Sequence, residues 1–423
     1  MNHRLSICCD TCNQGITLRL GLGTQKKQTV AFQCPKCKQK IALEMIIDKS
    51  KMLYQPEYKI LENCTFVAEK DSFIAINLHT EMVYPKELIN EKIMMPAMMV
   101  SMKLQKHAEK KGFLNPVISS ASSGFSGISM LSLFDSIGGD SNLLEDWLVV
   151  KKAYSLYESG MFDLMEKELL KYTRRKEAYV NNSLLHSIIF DFLNRFISPN
   201  TILFNKIKKN FNDAKKQRTE FENFKNYYQL SLQDIHWKNY IDIFNEYFEN
   251  FSEFNRLLLN AKIELHPDEG AESFFCPVNF NNVKMFYGNA YEYITTNLTI
   301  FACVNNIINS RKYDEFASMT LKKYSELNKE SRLNPLKTNT TFDLFTENIE
   351  STLRNASHHK WFYIDKANPG YLLYRSGGTG AIHQLSYIDY IYKSNLLMIK
   401  LAIMAMLEIK FLLKISMDKE NRK

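Results

Sequence analysis

Two C-x-x-C pairs near the start constrain this chain more than any other feature of its 423 residues. Cys9-Asp10-Thr11-Cys12 and Cys34-Pro35-Lys36-Cys37 are separated by 21 residues. Each pair is a tight turn that aims two thiols in one direction. Two such turns flanking a β-hairpin bring four thiolates onto one ion. Zn²⁺ prefers a tetrahedral Cys₄ set with Zn–S near ~2.3 Å. Four thiolates close the shell, so the expected Zn²⁺ is structural and catalysis is assigned no metal. Cys8 is an alternative ligand to Cys9, although Cys9 gives the better spacing. Lys38 and Lys40 lie nearby in sequence and favour thiolate over thiol. Cys64, Cys276 and Cys303 stand alone and read as small buried hydrophobes.

Eight cysteines in a chain of this length are too sparse for a disulfide scaffold, which points to reduced thiols in a cytosol. The start, MNHRLSICCDTC, lacks an apolar core and predicts no secretory signal, so a cytoplasmic location is expected. The paired cysteines resemble zinc ribbons over residues 1–45. Ile16–Leu22, Gln28–Cys34 and Ile41–Ile47 read as strands, with a turn at Gly23–Lys27. Its basic hairpin (Arg19, Lys26, Lys27) either clips a small domain together or touches nucleic acid, and the first reading is preferred.

Residues 46–111 continue as a small α+β region, with strand-like CTFVA and FIAINL and then a helical stretch over 85–111. Residues 112–142 are poor in charge and rich in Ser and Gly, which predicts a linker or long loop. Residues 143–280 show apolar positions at three- and four-residue spacing and read as a helical region. Lys206–Arg218 (KIKKNFNDAKKQR) is a basic run, read first as a solvated helix face. A helical domain is expected over 281–417, then a charged tail over 418–423. Leu396–Ile415 is apolar but interrupted by Lys400, Glu408, Lys410 and Lys414. Each such charge costs about 2.5–3.5 kcal/mol near a bilayer centre, so a buried helix is expected and no stable membrane insertion.

Thr341–His359 (TFDLFTENIESTLRNASHH) sets Phe342, Phe345, Ile349, Leu353 and Ala356 at helical spacing. Arg354, Asn355, His358 and His359 close that stripe. Of the twelve arginines only Arg354 has a histidine five to seven places on. The segment Arg354-Asn355-Ala356-Ser357-His358-His359 then leads through a Gly-rich excursion over 362–384 into the long apolar helix. In this the chain resembles HEPN (higher eukaryote and prokaryote nucleotide-binding) domains with their R-x4-H motif. The resemblance covers roughly residues 281–417. It implies a metal-independent endoribonuclease, commonly a homodimer whose two motifs share one site, leaving a 2′,3′-cyclic phosphate. It also implies a toxin or a role in anti-phage defence and abortive infection; such an effector is expected to be held silent, by its N-terminal part, by the linker or by a regulatory or sensor partner protein.

The residue chemistry suits that expectation. Histidine titrates near pH ~6.5 and serves as base or acid. Arginine stays charged and offers a planar fork to phosphate oxygens. Arg354 is thus the phosphate clamp, His359 the acid–base group (with His358 as its alternative), and Asn355 the orienter. On a helix, residues 354 and 358 share a face while 359 lies ~100° further round, so the helix must end there or a second subunit must contribute. The fold class expected is multidomain and mainly α: a zinc ribbon with a small α+β region, then helices ending in a HEPN-like bundle. The competing reading is a non-catalytic scaffold in which the ribbon binds nucleic acid or protein and the helical motif is degenerate.

Overall fold

A computed structural model of the chain describes residues 2–47, 56–90, 96–113, 142–172, 184–267, 275–337, 339–359, 361–377 and 380–413. Most of the linker expected at 112–142, and all of the tail at 418–423, lie outside the described residues. A small N-terminal sheet region precedes a helical remainder. The chain divides into two compact units, each made of non-contiguous stretches. One combines Met1–Ser141, Asn250–Gly288 and Thr352–Leu396; the other combines Asn142–Glu249, Asn289–Ser351 and Leu397–Lys423. The sequence predicts consecutive domains, whereas residues 143–280 and 281–417 are each shared between the two units.

The first unit is built on strands. β1 (Asn2–Cys9) and β2 (Gly15–Gly21) form an antiparallel hairpin that sets Leu5 against Leu18 and Ile7 against Ile16. β6 (Cys64–Phe66) joins β1, and β7 (Ile74–His79) lies parallel to β2, giving the order β6-β1-β2-β7. β3 (Lys27–Gln33), β4 (Lys40–Ile46) and β5 (Glu57–Glu62) form a second sheet. The expected hairpin between residues 16–22 and 28–34 is therefore absent. β2 has both edges occupied, by β1 and β7, so β3 pairs with β4 instead. Alternating residues such as Ile7, Leu18, Val30, Phe32, Leu43 and Ile76 enter one core. Leu104 of the helix Pro96–Lys110 and Leu259 of the helix Phe251–Lys262 close it.

A buried carboxylate explains why distant segments belong to this unit. Glu253 accepts hydrogen bonds from the backbone N–H of Val278 (2.7 Å) and Asn279 (3.0 Å) and from Tyr387 Oη (2.9 Å). The Cys276 N–H donates to Ala31 O of β3 at 3.3 Å. β8 (Phe362–Ile364), β9 (Tyr371–Tyr374) and β10 (His383–Ser386) make a small meander before the helix Tyr387–Phe411.

The second unit is helical. Trp147 stacks on Phe248 at 5.4 Å and meets Phe192 and Phe244. Buried Arg195 pairs with buried Asp146 at 2.6 Å and donates to Tyr172 Oη at 2.9 Å. Glu408 is fully buried and accepts from Tyr228 Oη and Tyr240 Oη, each at 2.6 Å, with His236 Nδ1 at 3.0 Å. Burial, reinforced by the carboxylate, holds both phenols far above their ordinary pKa. Lys400, also buried, donates to Glu347 O at 2.6 Å, and burial pushes its pKa down to about 7. Lys400 and Glu408, two of the charges that interrupt the apolar run at 396–415, thus have internal partners, while Lys410 is exposed. Among the described residues no helix is long and apolar enough to cross a membrane. Removing the Glu408 carboxylate leaves three buried polar groups without their acceptor. Glu408→Ala is expected to cost about 3–5 kcal/mol, read as a lower urea midpoint of the far-ultraviolet circular dichroism signal.

Candidate functional site

The two C-x-x-C turns are near copies of each other. Each closes its own hairpin, Cys9–Cys12 between β1 and β2 and Cys34–Cys37 between β3 and β4. In the first, Cys9 N–H donates to Gln14 O (3.0 Å) and Asn13 N–H to Cys9 O (2.9 Å). In the second, Cys34 N–H donates to Gln39 O (2.8 Å) and Lys38 N–H to Cys34 O (3.0 Å). Asn13 (φ 56°) and Lys38 (φ 65°) both take the left-handed conformation that turns the chain back. β-Strand alternation buries Cys9 and leaves Cys8 half-buried, so the ligand choice at 8 or 9 falls to Cys9.

The four sulfurs of Cys9, Cys12, Cys34 and Cys37 lie within 4.8 Å of one another. Cys9 and Cys37 Sγ are 3.7 Å apart, and Cys12 and Cys34 Sγ 3.6 Å. A regular tetrahedron with metal–sulfur bonds of ~2.3 Å has edges of about 3.8 Å, so the set fits one structural metal ion. Backbone N–H groups already point at the sulfurs: Gln14 at Cys12, Lys36 and Cys37 at Cys34, Gln39 at Cys37. Asn63 Nδ2 approaches Cys9 Sγ at 3.8 Å and donates to Lys40 O at 3.1 Å. Lys40 is not an activator of the thiols; its ammonium is held by Glu62 (2.7 Å) and Val278 O (3.2 Å). Burial, with the neighbouring Cys12 and Cys37 thiols, pushes Cys34 up to about 12 in the absence of a cation.

The Arg–His segment sits in a different setting from the one its periodicity suggests. The stripe Phe342 to Ala356 is not one helix. Asn348 adopts φ 53°, which separates the short helix Asp343–Thr346 from the helix Ser351–His358. The second helix ends where the motif ends: His359 N–H still donates to Asn355 O (3.0 Å), and Trp361 N–H reaches Ala356 O (3.2 Å). Leu353, Ala356 and Ser357 are buried, Arg354, Asn355 and His358 half-buried, and His359 exposed. Arg354 Nη1 donates to Asn355 Oδ1 at 2.7 Å, and Asn355 Nδ2 donates to Ser376 Oγ at 3.1 Å. The structure therefore brings Arg354, Asn355 and Ser376 together.

His358 turns inward. Its Nε2 is buried with no hydrogen-bond partner among the described residues. A Cβ placed on Gly288 would lie 3.0 Å from that nitrogen and 3.0 Å from Ser357 Cβ, so glycine permits the close approach. Beyond the helix, the Arg375 guanidinium stacks on Trp361 at 3.3 Å. Lys360 lies outside the described residues.

Sequence reasoning passed over two further arrangements. His236, assigned no role, is the buried partner of Glu408. His266, which carries no motif, donates from Nε2 to Asp389 Oδ1 at 2.6 Å and from Nδ1 to Pro267 O at 2.8 Å. No sequence signal links residues 123 positions apart. Compared with known proteins, the chain matches no family model, no curated protein and no solved structure.

Two tests follow. Cys34→Ser is expected to abolish stoichiometric metal binding, measured by elemental analysis and by release to a chromogenic chelator. Its target needs thiolates, so the wild type should lose metal as pH falls. The hydrogen bond to Asp389 raises the His266 pKa, and despite its burial Asp389 is held low by His266 and Ser386. The pair's stabilisation is thus complete between the unfolded aspartate and unfolded histidine values, fades as pH rises through the folded His266 value, and is lost as pH falls through the folded Asp389 value. A His266 ring-proton titration by NMR should show the raised pKa, reverting in Asp389→Asn.

Proposed function

We propose that this protein is a metal-independent endoribonuclease whose working groups are Arg354, Asn355 and His359, with Zn²⁺ in the Cys₄ centre serving structure alone. The observation that carries the reading is the helix end. It presents an exposed imidazole one residue past the helix Ser351–His358, whose Arg354 is oriented through Asn355 and Ser376; a second copy would bring the two groups to one phosphate. The HEPN-like motif supplies the roles. His359 takes the proton from the ribose 2′-OH, and the 2′-oxygen attacks phosphorus. Arg354 offsets charge on the phosphorane oxygens. The 5′-oxygen leaves with a proton from an acid, giving a 2′,3′-cyclic phosphate. That acid is assigned to the same histidine of a second copy, which makes the homodimer the active species. His358, enclosed against Gly288, is a packing group in this reading.

A regulatory partner and a role in anti-phage defence belong to the same proposal, since unrestrained RNA cleavage harms the host. The scaffold reading keeps one specific support: the metal centre fits its ion through residues wholly separate from the Arg–His segment.

The test is incubation of the purified full chain with RNA in the presence of EDTA at a concentration that spares the Cys₄ metal. Cleavage should produce cyclic-phosphate ends and fall by at least ~10²-fold in both Arg354→Ala and His359→Ala. His358→Ala should retain cleavage while melting at lower temperature. Equal cleavage by wild type and both site variants would sink the nuclease assignment.

A further inference from the structure

β8, β9 and β10 lie in the first unit and follow the Arg–His helix in the chain. Alternation sorts their side chains onto two faces. One face is core: Phe362 and Leu372 are buried, and Phe362 packs against Phe280 (5.0 Å) and Tyr390 (5.2 Å). The other face meets solvent. Tyr363 of β8 stands opposite Leu373 of β9, which stands opposite Gln384 of β10. Tyr363 is 44% exposed, and Gln384 is exposed. The Arg375 N–H donates to Trp361 O at 3.2 Å, which adds the pair Trp361–Arg375 to that same face. There the Arg375 guanidinium lies 3.3 Å over the indole, and both residues are half-buried.

The solvent face thus sets a tyrosine ring two residues along the strand, ~6.6 Å, from an indole capped by a guanidinium. Aromatic rings and guanidinium planes are the groups on which unpaired nucleobases stack. The charge around them suits a polyanion. Residues 351–386 hold Arg354, Lys360, Lys366 and Arg375 against one acid, Asp365. That carboxylate is engaged, accepting from Ala367 N–H at 2.9 Å and from Gln384 Nε2 at 3.4 Å. An acidic peptide would satisfy the charge without supplying planar rings in series. A duplex keeps its rings stacked on one another. An unpaired strand offers both phosphates and free ring faces.

Two hydrogen bonds tie this face to the motif helix. Trp361 N–H donates to Ala356 O, and Asn355 Nδ2 donates to Ser376 Oγ, next to Arg375. A strand lying on the sheet therefore continues toward the Arg354 end of the molecule.

We propose that the solvent face of the β8–β10 meander is a stacking platform for an unpaired nucleic-acid strand, with one base on Tyr363 and another on the Arg375–Trp361 stack. The platform rests on the nuclease reading only for the strand's onward path to Arg354 and His359.

The test is fluorescence anisotropy of the full chain with a short labelled 2′-O-methyl RNA strand, at one fixed salt concentration. That strand has no free 2′-OH, so binding is read whether or not the chain cuts RNA. The unpaired strand should bind, and the same strand annealed to its complement at least ~10-fold more weakly. Tyr363→Ala should weaken binding by at least ~5-fold, and Tyr363→Phe, which keeps the ring, by less than about 2-fold. Trp147 and Trp237 are buried, so quenching of tryptophan emission by the strand should vanish in Trp361→Phe. No binding, equal binding of strand and duplex, equal binding of an oligoglutamate peptide, or an unchanged Kd in Tyr363→Ala would overturn the platform. Binding with these dependences in a chain that fails to cut RNA would support the platform and remove only the nuclease reading. Cleavage with no effect of Tyr363→Ala on binding would overturn the platform alone.

Discussion

Four thiol sulfurs held within 4.8 Å of one another are an unfavourable arrangement unless a cation sits among them. As thiolates they repel, and as thiols they make only weak hydrogen bonds. The backbone nevertheless commits to that crowding in duplicate, with two turns of the same hydrogen-bond pattern and the same left-handed residue after the second cysteine. Each turn closes one hairpin, and each hairpin belongs to a different sheet. A metal at this point therefore joins β1–β2 to β3–β4, which share no ladder hydrogen bonds. The same two hairpins supply the core residues Ile7, Leu18, Phe32 and Leu43, so a metal there would hold together the two halves of one core.

Elsewhere the chain uses buried charge for the same purpose. Glu253 gathers a helix, an extended segment and a tyrosine from residues far apart in sequence. In the other unit, Glu408 gathers two tyrosines and a histidine, and Arg195 joins Asp146 to Tyr172. A buried carboxylate costs several kcal/mol to desolvate. It is tolerated only where several donors converge on it, so each hub fixes which segments must be neighbours. Apolar contacts alone, being non-directional, specify neighbours far less sharply.

This explains which parts of the molecule could be read in advance. The cysteine turns are legible because their geometry is local and their ligand chemistry is spacing-dependent. Helices over 143–280 are legible because amphipathic periodicity is local too. Strand partners were not: β2 looks like the natural partner of β3 across Gly23–Lys27, but β1, with its polar-looking start, and β7, more than fifty residues on, take both its edges. The apparent single helix over 341–359 failed at Asn348, where a left-handed residue breaks a pattern that continues in register. Glu408 and Lys400 were visible only as interruptions in an apolar run. Their partners, Tyr228, Tyr240, His236 and Glu347 O, are contributed by other helices and turns, which periodicity cannot reveal.

The same distinction bears on the two histidines of the Arg–His segment. Sequence spacing places His358 on the Arg354 face and so makes it the natural partner of that arginine. The motif nevertheless assigns the acid–base role to His359, and packing treats the two differently. Gly288 lets a neighbouring helix approach so closely that His358 Nε2 is buried, while termination of the helix at that residue leaves His359 exposed. An acid–base group must reach a substrate oxygen directly or through one water, and an enclosed nitrogen does neither without a rearrangement of the helix against Gly288. Accessibility, set by one glycine and one helix end, therefore distinguishes two adjacent histidines, and it is the ground on which the proposed reading takes His359.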